Sequence, residues 1–157
     1  MYKLILIAIF LPAIVFCQSK ITTSVGSAGA NAENTYSISI TVTNIRNTNG
    51  VIRFKFFDDT TPFPHDTGFL KVVVPKSEMK GDSLTVTYHG FLSRNMGIAL
   101  QDDENNNVKL DMGWFLPKEG HAFSDYYHSS MVRKPVYSDF DFLLAANKKV
   151  VMKMRYY

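Results

Sequence analysis

Tyr36, Ile38, Ile40 and Val42 alternate with Ser37, Ser39, Thr41 and Thr43. A segment that changes character at every second residue has one economical solution, a strand with one dry face and one wet face. The period recurs where Ile52, Phe54 and Phe56 flank Arg53 and Lys55, and where Leu84, Val86 and Tyr88 flank Thr85 and Thr87. It returns at the end of the chain, with Val150, Met152, Met154 and Tyr156 set against Val151, Lys153, Arg155 and Tyr157. Phe69–Val74 is a short apolar run that Pro75 ends, and Met96–Leu100 reads as a further strand after a break at His89-Gly90. Turn residues separate these runs. Asn47-Thr48-Asn49-Gly50 predicts a hairpin between the first two strands, Asp58–Asp66 carries two prolines, and Lys76–Asp82 is polar. No segment has the 3.6-residue period of a helix. The expected fold is all-β: a single antiparallel β-sandwich of the immunoglobulin or transthyretin general type over residues 35–157, with one long ordered loop.

The N-terminus has a different logic. Lys3 precedes an uncharged apolar stretch, Leu4–Phe16, that gives way to Gln18-Ser19-Lys20. It is shorter than the ~20 residues a spanning helix needs, and it matches a signal peptide over residues 1–17, cleaved after Cys17. Processing as a lipoprotein anchored through Cys17 is the alternative, against which bulky Phe16 stands. The chain is therefore expected to be exported, periplasmic or secreted, with no transmembrane helix in its mature part. Residues 18–34 are small and polar and read as a flexible leader. A single cysteine in the whole chain excludes an internal disulfide, a cysteine-rich zinc site and, after cleavage, a cysteine nucleophile. The formal charge of +3 is too close to neutral to imply a nucleic-acid partner.

Between Leu100 and the last strand lies a long irregular connection, of the kind that is usually functional. It opens with QDDENNNVKLD. Counted from Asp103, oxygen-bearing groups fall at the spacing of a calcium loop: Asp103, Asn105, Asn107, the backbone carbonyl of Lys109, and Asp111. A hard cation needs several oxygens at close range, and alternate residues of a curled loop supply them. Val108 stands where such a loop has glycine, Trp114 stands where it has a bidentate glutamate, and no helices flank it. A true EF-hand is therefore excluded. A loop-only Ca²⁺ site and a metal-free Asx turn both stay open.

Three runs in this region, GIALQDDENNNVKLD, PKEGHAFSD and PVYSDFDF, resemble the DUF2141 family of exported bacterial proteins of unassigned function. The residues that carry the likeness are Asp103, Glu104, Asn105, Asn107, Lys109, Leu110 and Asp111; Pro117, Glu119, Gly120, Phe123 and Ser124; and Pro135, Asp139 and Phe142. Asp102 replaces a frequent His, Val108 a Gly, Tyr137 a Phe and Phe140 an Ala. The resemblance implies an exported β-domain and no particular activity.

Other chemistry is sparse. His121 and His128 share the long connection with several carboxylates but form no H-x-x-x-H pair. Glu119 and Asp125 are conceivable as a glycosidase carboxylate pair. Ser124 lacks a G-x-S-x-G setting, and no catalytic constellation emerges. The aromatic residues are the stronger lead, because they can stack on a sugar or anchor a protein. Trp114, Phe115, Glu119, Phe123, Tyr126 and Tyr127 are the expected partner-binding residues, for an extracellular or envelope protein or a glycan. The favoured reading is a non-enzymatic binding or surface module with loop 102–128 as its face. An enzyme acting on extracellular glycan and a purely structural envelope component are the alternatives.

Overall fold

The structure is a computed structural model that describes residues 21–24, 35–61 and 63–157. Among the described residues nine strands form in chain order: β1 Ile21–Ser24, β2 Tyr36–Thr43, β3 Val51–Asp58, β4 Leu70–Pro75 and β5 Leu84–Phe91, then β6 Arg94–Asp103, β7 His121–Phe123, β8 Asp141–Leu144 and β9 Lys148–Lys153. They make two sheets, one ordered β1-β5-β2-β9 and the other β4-β3-β6-β7, with β8 also paired to β6. No described residue is α-helical; Lys76–Glu78 and Tyr137–Asp139 are single 3₁₀ turns. No helix among the described residues is long and apolar enough to cross a membrane.

The two sheets enclose one core, to which the alternating residues contribute as the period requires. Ile38, Ile40, Val42, Val86 and Tyr88 meet Ile52, Phe54, Phe56, Met96, Ile98 and Leu100, all buried. Each such side chain contributes about 1.5–3 kcal/mol. Tyr88 lies edge-on to Phe54 and Phe56, at centroid distances of 6.2 and 5.6 Å. Its hydroxyl has no hydrogen-bond partner among the described residues.

Four expectations are corrected. The hairpin between the first two strands does not form: β2 pairs with β5 and β9, whereas β3 pairs with β4 and β6. The link between them carries apolar Ile45, which is buried and donates its N–H to Asp82 O at 2.9 Å, so the chain crosses over the end of the core rather than folding back in plane. The expected break at His89-Gly90 falls inside β5, where Gly90 takes φ 87° beside a register shift opposite Tyr36–Ile38. The long connection is not wholly irregular, because β7 and β8 form within it and share one side of β6. Ile21–Ser24, in the expected leader, is a strand parallel to β5. The expected export signal and its processing site lie outside the described residues.

Candidate ligand cleft and the loop that walls it

β6 ends on two adjacent acids, and strand alternation sends them to opposite faces. Asp102 points inward, fully buried, in ion-pair contact with the equally buried Lys76. It also accepts a hydrogen bond from Tyr156 Oη at 2.6 Å. Burial raises its carboxyl above the ordinary carboxylate value, against the pull of Lys76 and Tyr156. Tyr156 reaches it by lying over Gly120, where a β-carbon would stand 2.4 Å from the ring. Lys76 Nζ continues to Asn47 Oδ1 at 3.2 Å, and Asn47 Nδ2 to Glu104 Oε1 at 2.9 Å. Arg46 grips Glu104 with Nε–Oε1 at 2.5 Å and Nη2–Oε2 at 2.7 Å, a bidentate pair that holds the Glu104 carboxyl below its ordinary value.

Asp103 points outward. Burial alone would raise its carboxyl; Arg53 Nε at 2.5 Å and the N–H groups of Val108 and Asn107, each at 3.0 Å, outweigh burial and lower it. The remaining expected calcium ligands close on one another. Asn105 Oδ1 accepts Asn107 N–H at 3.2 Å and Asn107 Oδ1 accepts Lys109 N–H at 2.8 Å. Both carboxamides donate to Asp111, from Asn105 at 2.6 Å and from Asn107 at 3.1 Å. Lys109 gives its carbonyl to Gln101 Nε2 at 2.9 Å. Five oxygens are thus gathered, but their lone pairs are directed at N–H groups and a guanidinium covers Asp103. The donor set fits a self-contained Asx turn better than a divalent cation. Val108 adopts φ 69°, a conformation that a β-branched residue resists.

The outward face of the second sheet is also covered. Phe57, Phe123 and Phe140 are buried there without belonging to the main core. Phe63 stacks edge-on against all three, at 5.4, 5.8 and 5.1 Å. Beside this cluster a cleft of about 450 Å³ opens over Arg53, Lys55, Ala99 and Gln101. One wall is Leu110, Met112, Phe115, Leu116 and Pro117, and the other is Ser130–Pro135 with His128. Among the described residues four cations, Arg53, Lys55, Arg133 and Lys134, line it against one carboxylate, Asp66. Arg53 is committed to Asp103 and Arg133 to Asp139 at 2.6 Å. His121 lies on the floor, stacked on Tyr157 at 5.4 Å. Desolvation, and then His128 and Arg155, push its imidazole down to about 4.

Of the residues expected to bind a partner, Phe115 and Phe123 line the cleft, and Trp114, Glu119, Tyr126 and Tyr127 do not. Trp114 and Phe115 are 95% and 87% exposed, whereas Glu119 and Phe123 are buried. Glu119 Oε2 accepts from Gln101 Nε2 at 2.6 Å and from Asp111 N–H at 3.2 Å. Asp125 faces the other way, accepting Val151 N–H at 2.9 Å and pairing with Lys148 at 3.1 Å. Neither carboxylate lines the cleft, and neither do Tyr126, Tyr127 and Tyr137. Tyr126 Oη meets His128 Nδ1 at 3.2 Å, and Lys153 lies over the Tyr127 ring at 5.2 Å. Among the described residues no three His, Cys, Asp or Glu side chains gather into a metal-holding group. The floor residues Arg53, Lys55, Phe57 and Ala99 escape a reading centred on one loop. Their signal is Phe57, an apolar residue on the Arg53–Lys55 side of its strand, where an uncovered face would be polar.

Neither a curated protein nor a solved structure matches the chain. The model of a family described as an uncharacterized protein conserved in bacteria matches residues 40–152, and over this span of more than half its length the chain belongs to the DUF2141 family.

Proposed function

We propose that this domain is a non-enzymatic binding module, exported to the cell envelope or beyond, whose ligand occupies the cleft on the outward face of the second sheet. The observation that carries this reading is the cleft itself. A concave, mainly apolar site of about 450 Å³ with polar groups on its floor and rim is what a ligand pocket requires. The chemistry around it is that of binding. Glu119 and Asp125 point elsewhere, engaged by Gln101 and by Lys148. A purely structural envelope component would have no use for such a cleft. Two sheets over one core also support an immunoglobulin- or transthyretin-like sandwich, and the Leu4–Phe16 run supports export.

The test fills the cleft from its floor. Ala99 pairs with Lys55 and Phe123 across neighbouring strands, so Ala99→Phe projects a ring into the site while leaving the main core untouched. An apolar anionic dye such as anilinonaphthalene sulfonate should brighten on the wild-type protein, and Ala99→Phe should abolish the response with little change in unfolding midpoint. Brightening that survives Ala99→Phe, or no brightening at all, overturns the assignment.

A further inference from the structure

Trp114 and Phe115 hold a position that turns normally give to glycine, asparagine, aspartate or proline. Gly113 N–H donates to Leu116 O at 2.7 Å and Lys118 N–H to Asp111 O at 2.8 Å, with Met112 and Pro117 bridged as in an antiparallel pair. The segment 111–118 is therefore a small hairpin, and the two aromatic residues are its apex. Their rings pack on each other edge-to-face, 6.3 Å between centroids, and remain almost fully open to solvent. Val108, Leu110 and Met112 continue the exposed apolar surface down the loop, and Met131 and Val132 extend it across the cleft mouth. A water-facing surface of that composition marks an interaction site.

The charges around it select the occupant. Lys109, Lys118 and Lys134 are exposed in the same two segments. The carboxylates there are engaged by neighbouring side chains, with Asp111 on Asn105 and Asn107, Glu119 on Gln101, and Asp139 on Arg133. An exposed aromatic apex with lysines on the same segments is the composition that lies in a membrane interface, the rings at headgroup depth and the ammonium groups on anionic lipid. We infer that the 111–118 hairpin docks this domain on an anionic lipid surface, with Trp114 and Phe115 inserted into it. The inference goes beyond the cleft assignment and is tested apart from it: Met112, Phe115, Leu116 and Pro117 serve both as hairpin and as cleft wall, whereas Trp114 lies outside the cleft and Ala99 outside the hairpin.

Trp114 is the only tryptophan in the chain, so its emission reports on the apex alone. Purified protein is mixed with vesicles of equimolar phosphatidylcholine and phosphatidylglycerol, or of phosphatidylcholine alone. The expected result is a shift of emission to shorter wavelength, with co-sedimentation, on the anionic vesicles and not on the neutral ones. Phe115→Ala should weaken both signals, and Trp114→Ala should abolish co-sedimentation. Lys109→Gln and Lys134→Gln should each lower the partition coefficient about fivefold, the equivalent of ~1 kcal/mol per cation at the surface. Ala99→Phe should leave all of this unchanged. Emission that stays put on anionic vesicles overturns the inference. So does a blue shift that appears without lipid and grows with protein concentration, which would assign the apex to a second copy of the chain.

Discussion

The loop that follows β6 has a root and a tip built on opposite principles. At the root, Asp102, Asp103, Glu104 and Glu119 are buried or half-buried, and each is engaged by a cation, a hydroxyl, an amide or a backbone N–H. At the tip, ten residues further on, Trp114 and Phe115 touch almost nothing but each other. Buried polar networks of this sort are costly when incomplete and confer definite geometry when complete. Exposed aromatic side chains contribute nothing to folding stability. The pairing teaches that the domain invests its specificity in fixing where the hairpin stands, and leaves the hairpin's own surface for something else.

The largest effect should come from breaking the inward half of the root. Lys76→Met leaves Asp102 buried without its cation and with only Tyr156 beside it, and should cost about 3–5 kcal/mol in urea unfolding at pH 7. Lys76→Met with Asp102→Leu should recover much of that loss, since replacing both partners removes the unpaired carboxyl. If the single variant is harmless, the root is not the rigid platform argued here.

Next in size is an acid-sensitive contribution from His121, on the floor between root and cleft. Its folded value is lowered to about 4 from an ordinary 6.5, so the unfolded chain binds more protons over that interval. The contribution is fully present above pH 6.5 and is lost as pH falls toward 4, amounting to about 3 kcal/mol. His121→Phe should flatten that part of the stability profile relative to wild type. Smaller again is Asp103→Ala, which frees Arg53 and two loop N–H groups for about 2 kcal/mol. Asp103 has a lowered carboxyl, so its stabilisation holds above the unfolded value and disappears as pH falls through the folded one. Limited proteolysis should then cut within 105–112 first, because the tip has lost its anchor.

Much of this was legible in the sequence where a period or a turn residue carried it. Tyr36–Thr43 is the strand that its alternation predicts, to the residue. The residues that carry the family likeness also turn out to have structural work: Gly120 leaves room for Tyr156, and Ser124 donates to Phe140 O at 2.6 Å while accepting Ile98 N–H at 3.0 Å. What was not legible is pairing at a distance. Alternation assigns Ile38 and Ile52 each a dry face but not a common sheet, and nothing local says that Lys76 waits for Asp102. Asp102 reads as a departure from the family pattern until its partner, far away in sequence, is seen. The cleft was hidden for the same reason, since its floor comes from β3 and β6 and its walls from two separate loops.

The two smallest effects concern the join between root and tip. Val108 at φ 69° is strained, and it stands where the family has glycine. Val108→Gly should raise stability by about 1 kcal/mol, the relief of a left-handed β-branched residue less the added freedom of the unfolded glycine. Ca²⁺ should do less still. For an ion to enter, Asn105 and Asn107 must surrender backbone N–H groups and their bonds to Asp111, and Arg53 must withdraw from Asp103. A ligand that binds only the folded state raises stability by ~2.7 kcal/mol at a hundred times its dissociation constant. The unfolding midpoint in millimolar Ca²⁺ should instead equal that in EDTA, both for wild type and for Asp111→Ala. A rise that Asp111→Ala removes would mean that the Asx turn rearranges into a cation cage. The root would then be set by metal rather than by its own amides, and the hairpin's position would depend on calcium.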